Sequence, residues 1–131
     1  MERRELIGFL AGIPALAAVA TEVAAGPGAA PEAKPGDVGT KLLYENDRVK
    51  VWEFALDPGE AIPMHTHTLD YLFHVYEGST LEVTFPAEAE APAKKIDLAA
   101  GDVRYVAKGG RHMARNVGQR RYVEVLVELK G

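Results

Sequence analysis

Residues Gly59 to Gly78 read GEAIPMHTHTLDYLFHVYEG, and three of the four histidines of the chain fall within them. His65 and His67 are two positions apart. On a strand, where side chains alternate with a period of two, both imidazoles project from one face, close enough to share a ligand. The surroundings favour strands: Ala61 to His67 and Asp70 to Tyr76 carry apolar and aromatic residues between the breaks Asp57-Pro58-Gly59 and Glu77-Gly78-Ser79. The stretch therefore reads as a metal-binding strand region. A third ligand and further walls of the site must come from elsewhere in the chain.

The same pattern continues on both sides. Upstream, Lys41 to Tyr44 and Arg48 to Leu56 alternate around the turn Glu45-Asn46-Asp47. Downstream, Thr80 to Phe85 follows Asp70 to Tyr76, and Glu77-Gly78-Ser79 between them reads as a hairpin turn. Pro86 to Ala93 is a polar, proline-bounded loop that could pass for a short helix, with solvated acids. Ile96 to Leu98, Val103 to Ala107, His112 to Asn116 and Tyr122 to Leu129 are further short strands. Many short strands separated by Gly and Pro turns, with no convincing helical pattern after residue 36, predict an all-β sandwich or small barrel.

Composition narrows the function. A chain of 131 residues with 47% hydrophobic and 26% charged residues has room for one domain with a true core. A net charge of −4 with no long basic run excludes nucleic acid as an expected partner, because phosphate neutralisation needs clustered Lys and Arg. There are no cysteines, so disulfides, thiolate metal sites and cysteine nucleophiles are excluded together, and any soft-metal chemistry must use imidazole.

The N-terminus has a different character. Arg3 and Arg4 precede the apolar run Leu6 to Ala20, which ends in the small-residue pattern Ala18-Val19-Ala20, with a second candidate cut after Ala25. Residues 1–25 thus resemble a secretory signal of the twin-arginine type, implying an exported or periplasmic protein with no stable membrane insertion after processing. Glu2 and Glu5 offset the arginines, and the alternative is a helical N-terminal segment, broken at Pro14, on a cytoplasmic protein. Residues 26–36, GPGAAPEAKPG, form a linker, and the folded domain spans 37–131.

Two longer patterns then become specific. Gly59, five residues, His65-Thr66-His67, three residues, Tyr71, six residues and Gly78 form the first. Gly101, five residues, Ala107-Lys108-Gly109, two residues, His112, three residues and Asn116 form the second. Together they resemble the two motifs of the cupins, with Tyr71 where that family usually has glutamate and Ala107 where it usually has proline. The resemblance implies a jelly-roll barrel, a homodimer, and a divalent transition metal held by His65, His67 and His112. Iron is the first candidate, and zinc, copper, nickel and manganese are the others. Because ligation needs neutral imidazole, affinity is expected to fall as pH drops through about 6.5.

Tyr71 is the informative departure. A phenol brings no negative charge at neutral pH unless a metal lowers its pKa, so a three-histidine site would keep the ion's full charge. Tyr71 could ligate, hydrogen-bond a bound water or substrate as a catalytic group, or fill space. Asp70 and His74 fall on the opposite face of a regular strand, whereas Phe73 and Val75 share the face of Tyr71 and would wall the cavity. One of Arg104 and Tyr105 could line it too, and Trp52 and Phe54 read as core. Three-histidine cupins that this chain resembles include thiol and diketone dioxygenases. The expected function is therefore a small-molecule enzyme of dioxygenase-like type. The rival is a non-catalytic cupin that binds a metal or small ligand.

Overall fold

The structure, a computed structural model, describes Lys34 and residues 36–131. The expected signal segment at 1–25 and most of the 26–36 linker lie outside the described residues. Nine strands follow in order: β1 (Lys41–Glu45), β2 (Val49–Leu56), β3 (Ala61–Thr66), β4 (Tyr71–Glu77), β5 (Ser79–Thr84), β6 (Lys94–Leu98), β7 (Val103–Val106), β8 (Arg111–Asn116) and β9 (Tyr122–Leu129). Between β5 and β6 the proline-bounded loop makes a single 3-10 turn at Ala87–Ala89, ended by Glu90 in the left-handed region. Among the described residues no helix is long and apolar enough to cross a membrane.

The strands form two antiparallel sheets, β1-β2-β9-β4-β7 and β3-β8-β5-β6, packed face to face as the jelly roll expected from the motifs. The β1–β2 turn is a true hairpin. Asn46 Oδ1 accepts hydrogen bonds from the backbone N–H groups of Arg48 at 2.8 Å and Val49 at 2.9 Å, a short polar side chain mimicking a backbone turn.

The expected β4–β5 hairpin is corrected. The two strands do not pair: β4 lies between β9 and β7, whereas β5 lies between β8 and β6 in the other sheet. The chain crosses between sheets at Gly78, and a Cβ there would sit 2.3 Å from the Leu98 carbonyl oxygen at the end of β6. Gly78 is thus needed for a close backbone approach rather than for a two-strand turn.

The core lies between the sheets. Leu56, Ile62, Val75 and Tyr122 are fully buried there, and Phe54 meets Tyr122 edge to face with ring centroids 5.9 Å apart. A second apolar cluster of Val38, Trp52, Tyr71 and Leu126 sits beside the histidines. Asn116, the last residue of the second motif, joins the ends of the layers. Its Nδ2 donates to the carbonyls of Leu56 and Arg120, and its Oδ1 accepts from Ser79 Oγ and the Gly118 N–H. All of its hydrogen-bonding capacity is met inside the protein, so this motif position holds the barrel together and is not part of the chemistry.

Candidate metal centre

The histidines are brought together by the β3–β8 ladder. His65 and His112 are direct cross-strand partners, the arrangement that places side chains of one face about 5 Å apart. The β3 register shifts between Ile62 and His65, where Pro63 has no N–H for the ladder. This irregularity lets Ile62 and His65, three positions apart, both turn inward. His67 lies just past β3, tied to the loop before β8 by two backbone hydrogen bonds of 2.8 Å, His67 N–H to Gly110 O and Gly109 N–H to His67 O. Gly109 accepts this geometry with φ +112°.

Three Nε2 atoms converge. His67 Nε2 lies 3.1 Å from His65 Nε2 and 3.1 Å from His112 Nε2, and the ring centroids form a nearly equilateral triangle with sides of 4.8, 4.9 and 4.9 Å. An ion about 2.05 Å from each nitrogen would subtend about 98° across a 3.1 Å pair, between octahedral and tetrahedral angles. His65 Nδ1 lies 2.9 Å from the Pro63 carbonyl, which can only accept, so the ring proton sits on Nδ1 and the Nε2 lone pair faces its neighbours. The donor set fits one transition metal ion. No other group of three or more His, Asp or Glu side chains with this convergence occurs among the described residues.

The electrostatics agree. Burial, then the charges of His65 and His112, brings His67 down to about 3, and burial followed by His65 brings His112 to about 4. His65 is also lowered, chiefly by burial. All three are neutral at neutral pH, the ligating form, and the expected loss of affinity near 6.5 moves to lower pH. His65 and His67 are each 2% exposed, and His67 Nδ1 is buried without a hydrogen-bond partner.

Tyr71 lies flat on the His67 ring, with centroids 4.1 Å apart and planes 18° from parallel. Burial, then Glu124, pushes its phenol up to about 12, so it is a neutral hydrogen-bond donor. The three imidazoles and Tyr71 form one end of a cavity of about 190 Å³, whose walls include Phe54, Phe73, Leu81, Ile96 and Leu126. That is about six waters' worth of liquid volume, enough for a small organic molecule.

The remaining expectations divide. Phe73 lines the cavity and Val75 is core, both on the Tyr71 face. Asp70 faces away, accepting from Tyr105 Oη at 2.6 Å and the Lys108 N–H at 2.9 Å. His74 is exposed against Tyr76. Of the pair left open, Arg104 lines the cavity and Tyr105 is exposed. Trp52 is core, whereas Phe54 is both core and wall.

Two acids went unread in the sequence. β9 alternates Val123, Val125, Val127 and Leu129 with Tyr122, Glu124, Leu126 and Glu128, and the acid-bearing set faces inward. Hydrophobicity alone favours the valine face for the core. The acids are tolerated inside because Tyr122 Oη donates to Glu124 Oε1 and Trp52 Nε1 donates to Glu128 Oε1 at 2.8 Å. A signal did exist: Trp52 and Tyr122 offer the hydrogen-bond donors that a buried carboxylate needs, but only the register pairs them with it.

Fold and site together define a small double-sheet barrel with a three-histidine centre opening on an apolar cavity. The family model described as Cupin domain matches residues 52–127, more than half of the sequence, and the chain belongs to that family. Among curated proteins none matches it. It is similar to a cupin domain from Bordetella pertussis, with 26% identity over 76% of this chain and 98% of that one and a TM-score of 0.63. An RmlC-like cupin with a double-stranded β-helix fold from Methanocaldococcus jannaschii shares the fold at 15% identity, with TM-score 0.56 over 68% of this chain and 76% of that one. The polyketide cyclase RemF from Streptomyces resistomycificus does so at 19% identity, with TM-score 0.50 over 66% of this chain and 57% of that one.

Proposed function

We propose that this cupin is a small-molecule enzyme of dioxygenase-like type, working with one divalent transition metal, iron before zinc, copper, nickel or manganese, at His65, His67 and His112. The observation that carries the reading is the convergence of three neutral Nε2 atoms at one end of an apolar cavity. When bound, the ion supplies Lewis acidity and, if ferrous, a route to oxygen activation. The residues supply the remainder. The histidines hold and orient the ion, and His65 is itself oriented by Pro63. Tyr71, fixed by its stack on His67, is the catalytic group that orients the substrate or delivers a proton, because its phenol keeps that proton at neutral pH. Phe54, Phe73, Leu81 and Leu126 exclude water around the reacting atoms.

The outer face of the five-stranded sheet supports a homodimer. One register row, Tyr44, Val51, Val127, Leu72 and Tyr105, crosses all five strands, and its two end tyrosines are more than half exposed. An apolar face of that width suits a second copy about a two-fold axis. Export by a twin-arginine route follows from residues 1–25, and Arg3→Lys with Arg4→Lys is expected to retain the protein in the cytoplasm.

The test of function is metal content after native purification, followed by oxygen consumption against thiols, diketones and organic acids. Catalytic uptake that His65→Ala abolishes supports the enzyme. Stoichiometric metal with no turnover against the panel supports the non-catalytic binder, which the missing carboxylate also favours.

A further inference from the structure

The cavity has a polar group that metal ligation leaves unused. Glu124 is 5% exposed and contributes to the cavity wall. Its ladder partners are Phe54 on β2 and Val75 on β4, so it sits away from the row in which Tyr71 meets Glu128 beside the histidines. Oε1 accepts from Tyr122 Oη, and among the described residues Oε2 receives no hydrogen bond and is not sealed from the cavity. An oxygen that has no donor from the protein, on a side chain lining the cavity, is available to accept a hydrogen bond from a ligand. Arg104 lines the same cavity with a half-exposed side chain whose ion-pair partner, Asp102, is 4.0 Å away. It forms no ion pair with Glu124, so the two groups are free to act on something between or beside them.

We infer that Glu124 is the second recognition group of this site, receiving a hydroxyl or ammonium donor at the far end of a short organic acid whose carboxylate faces the three histidines. Arg104 favours entry of such an anion, and the apolar walls hold its middle. The inference rests on the metal reading of the three histidines, because the carboxylate end needs an ion to meet. The charged and titratable groups around Glu124 are Tyr122 on its own strand, Tyr71 on β4, Arg104 on β7 and Asp102 before it. Both phenols are pushed up, chiefly by burial, and stay neutral. Glu124 itself is raised to about 7 by burial, so an ammonium placed against it would draw off its proton.

The test is anaerobic titration calorimetry of the metal-loaded protein with hexanoate and its ω-hydroxy and ω-amino derivatives, and with the four-carbon set. The substituted acids of the fitting length are expected to bind about tenfold tighter or more than the plain acid. Glu124→Leu is expected to lose that preference while keeping its metal. Near pH 7 the amino acid is expected to release protons from wild type, seen as a dependence of the heat on buffer, and not from Glu124→Gln. Should the leucine variant fail to fold, the glutamine variant carries the test through its lost amino preference. A plain acid binding as tightly as the substituted ones, or a preference unchanged in both variants that retain metal, would overturn the inference. Wild type that takes up no metal would instead overturn the reading on which it rests.

Discussion

Replacing Glu124 by glutamine should change how stability depends on pH. The carboxyl is buried between the sheets beside Phe54 and Val75, and burial raises it from 4.5 to about 7 even though the Tyr122 hydrogen bond lowers it. A group raised in the folded state binds its proton more tightly there than in the unfolded chain. Its stabilising contribution is complete below about 4.5 and is lost as pH rises through about 7. The difference between the two values corresponds to about 3 kcal/mol. Glutamine has similar shape, can still accept from Tyr122 and does not titrate. Metal-free wild type and Glu124→Gln would be compared by urea denaturation at about pH 4.5, 6 and 8, following Trp52, the one tryptophan. Titration of the histidines is common to both proteins and cancels in the difference. The variant should gain on wild type by about 3 kcal/mol across this range, most of it before pH 8. A difference that stays flat within about 0.5 kcal/mol, or runs the other way, would refute the placement of an ionisable carboxyl in this core.

Three other substitutions probe different parts of the account. Ile62→Ala removes a fully buried side chain between the sheets and should cost about 2 to 5 kcal/mol in the same denaturation assay. Gly78→Ala places a methyl against the Leu98 carbonyl at the sheet crossover and should lower stability by about 1 to 3 kcal/mol, whereas a simple hairpin turn there would tolerate it better. Tyr71→Phe retains the ring that stacks on His67 and removes only the hydroxyl, so metal content and stability should persist while turnover falls by about 10²-fold or more. Turnover unchanged in that variant would make Tyr71 a wall alone.

The sequence was most legible where chemistry and backbone geometry constrain the same positions. His65 and His67 announced a shared face, and the second motif located His112 opposite them, an arrangement that the direct cross-strand pairing explains. The strands were readable because β-branched and aromatic residues alternate between Gly, Pro and Asn breaks. What could not be read was long-range pairing. Nothing local to Glu77-Gly78-Ser79 distinguishes a hairpin from a crossing between sheets, because the deciding contact is with Leu98, twenty positions away in sequence. The choice between Arg104 and Tyr105 depended likewise on which of them pairs beside Phe73. On β9 the periodicity was clear but its direction was not. Outward valines and inward glutamates reverse the usual expectation, and only Trp52 and Tyr122, brought in from their own positions in the sheet, make the reversal tolerable.

The central claim is that His65, His67 and His112 hold one metal ion, and elemental analysis of protein purified from its own host tests it most directly. The expected result is about one divalent transition metal ion per chain, with His112→Ala folded and metal-free. A wild-type protein that arrives without metal and takes up none from iron, zinc, copper, nickel or manganese, with its three imidazoles intact, would contradict it.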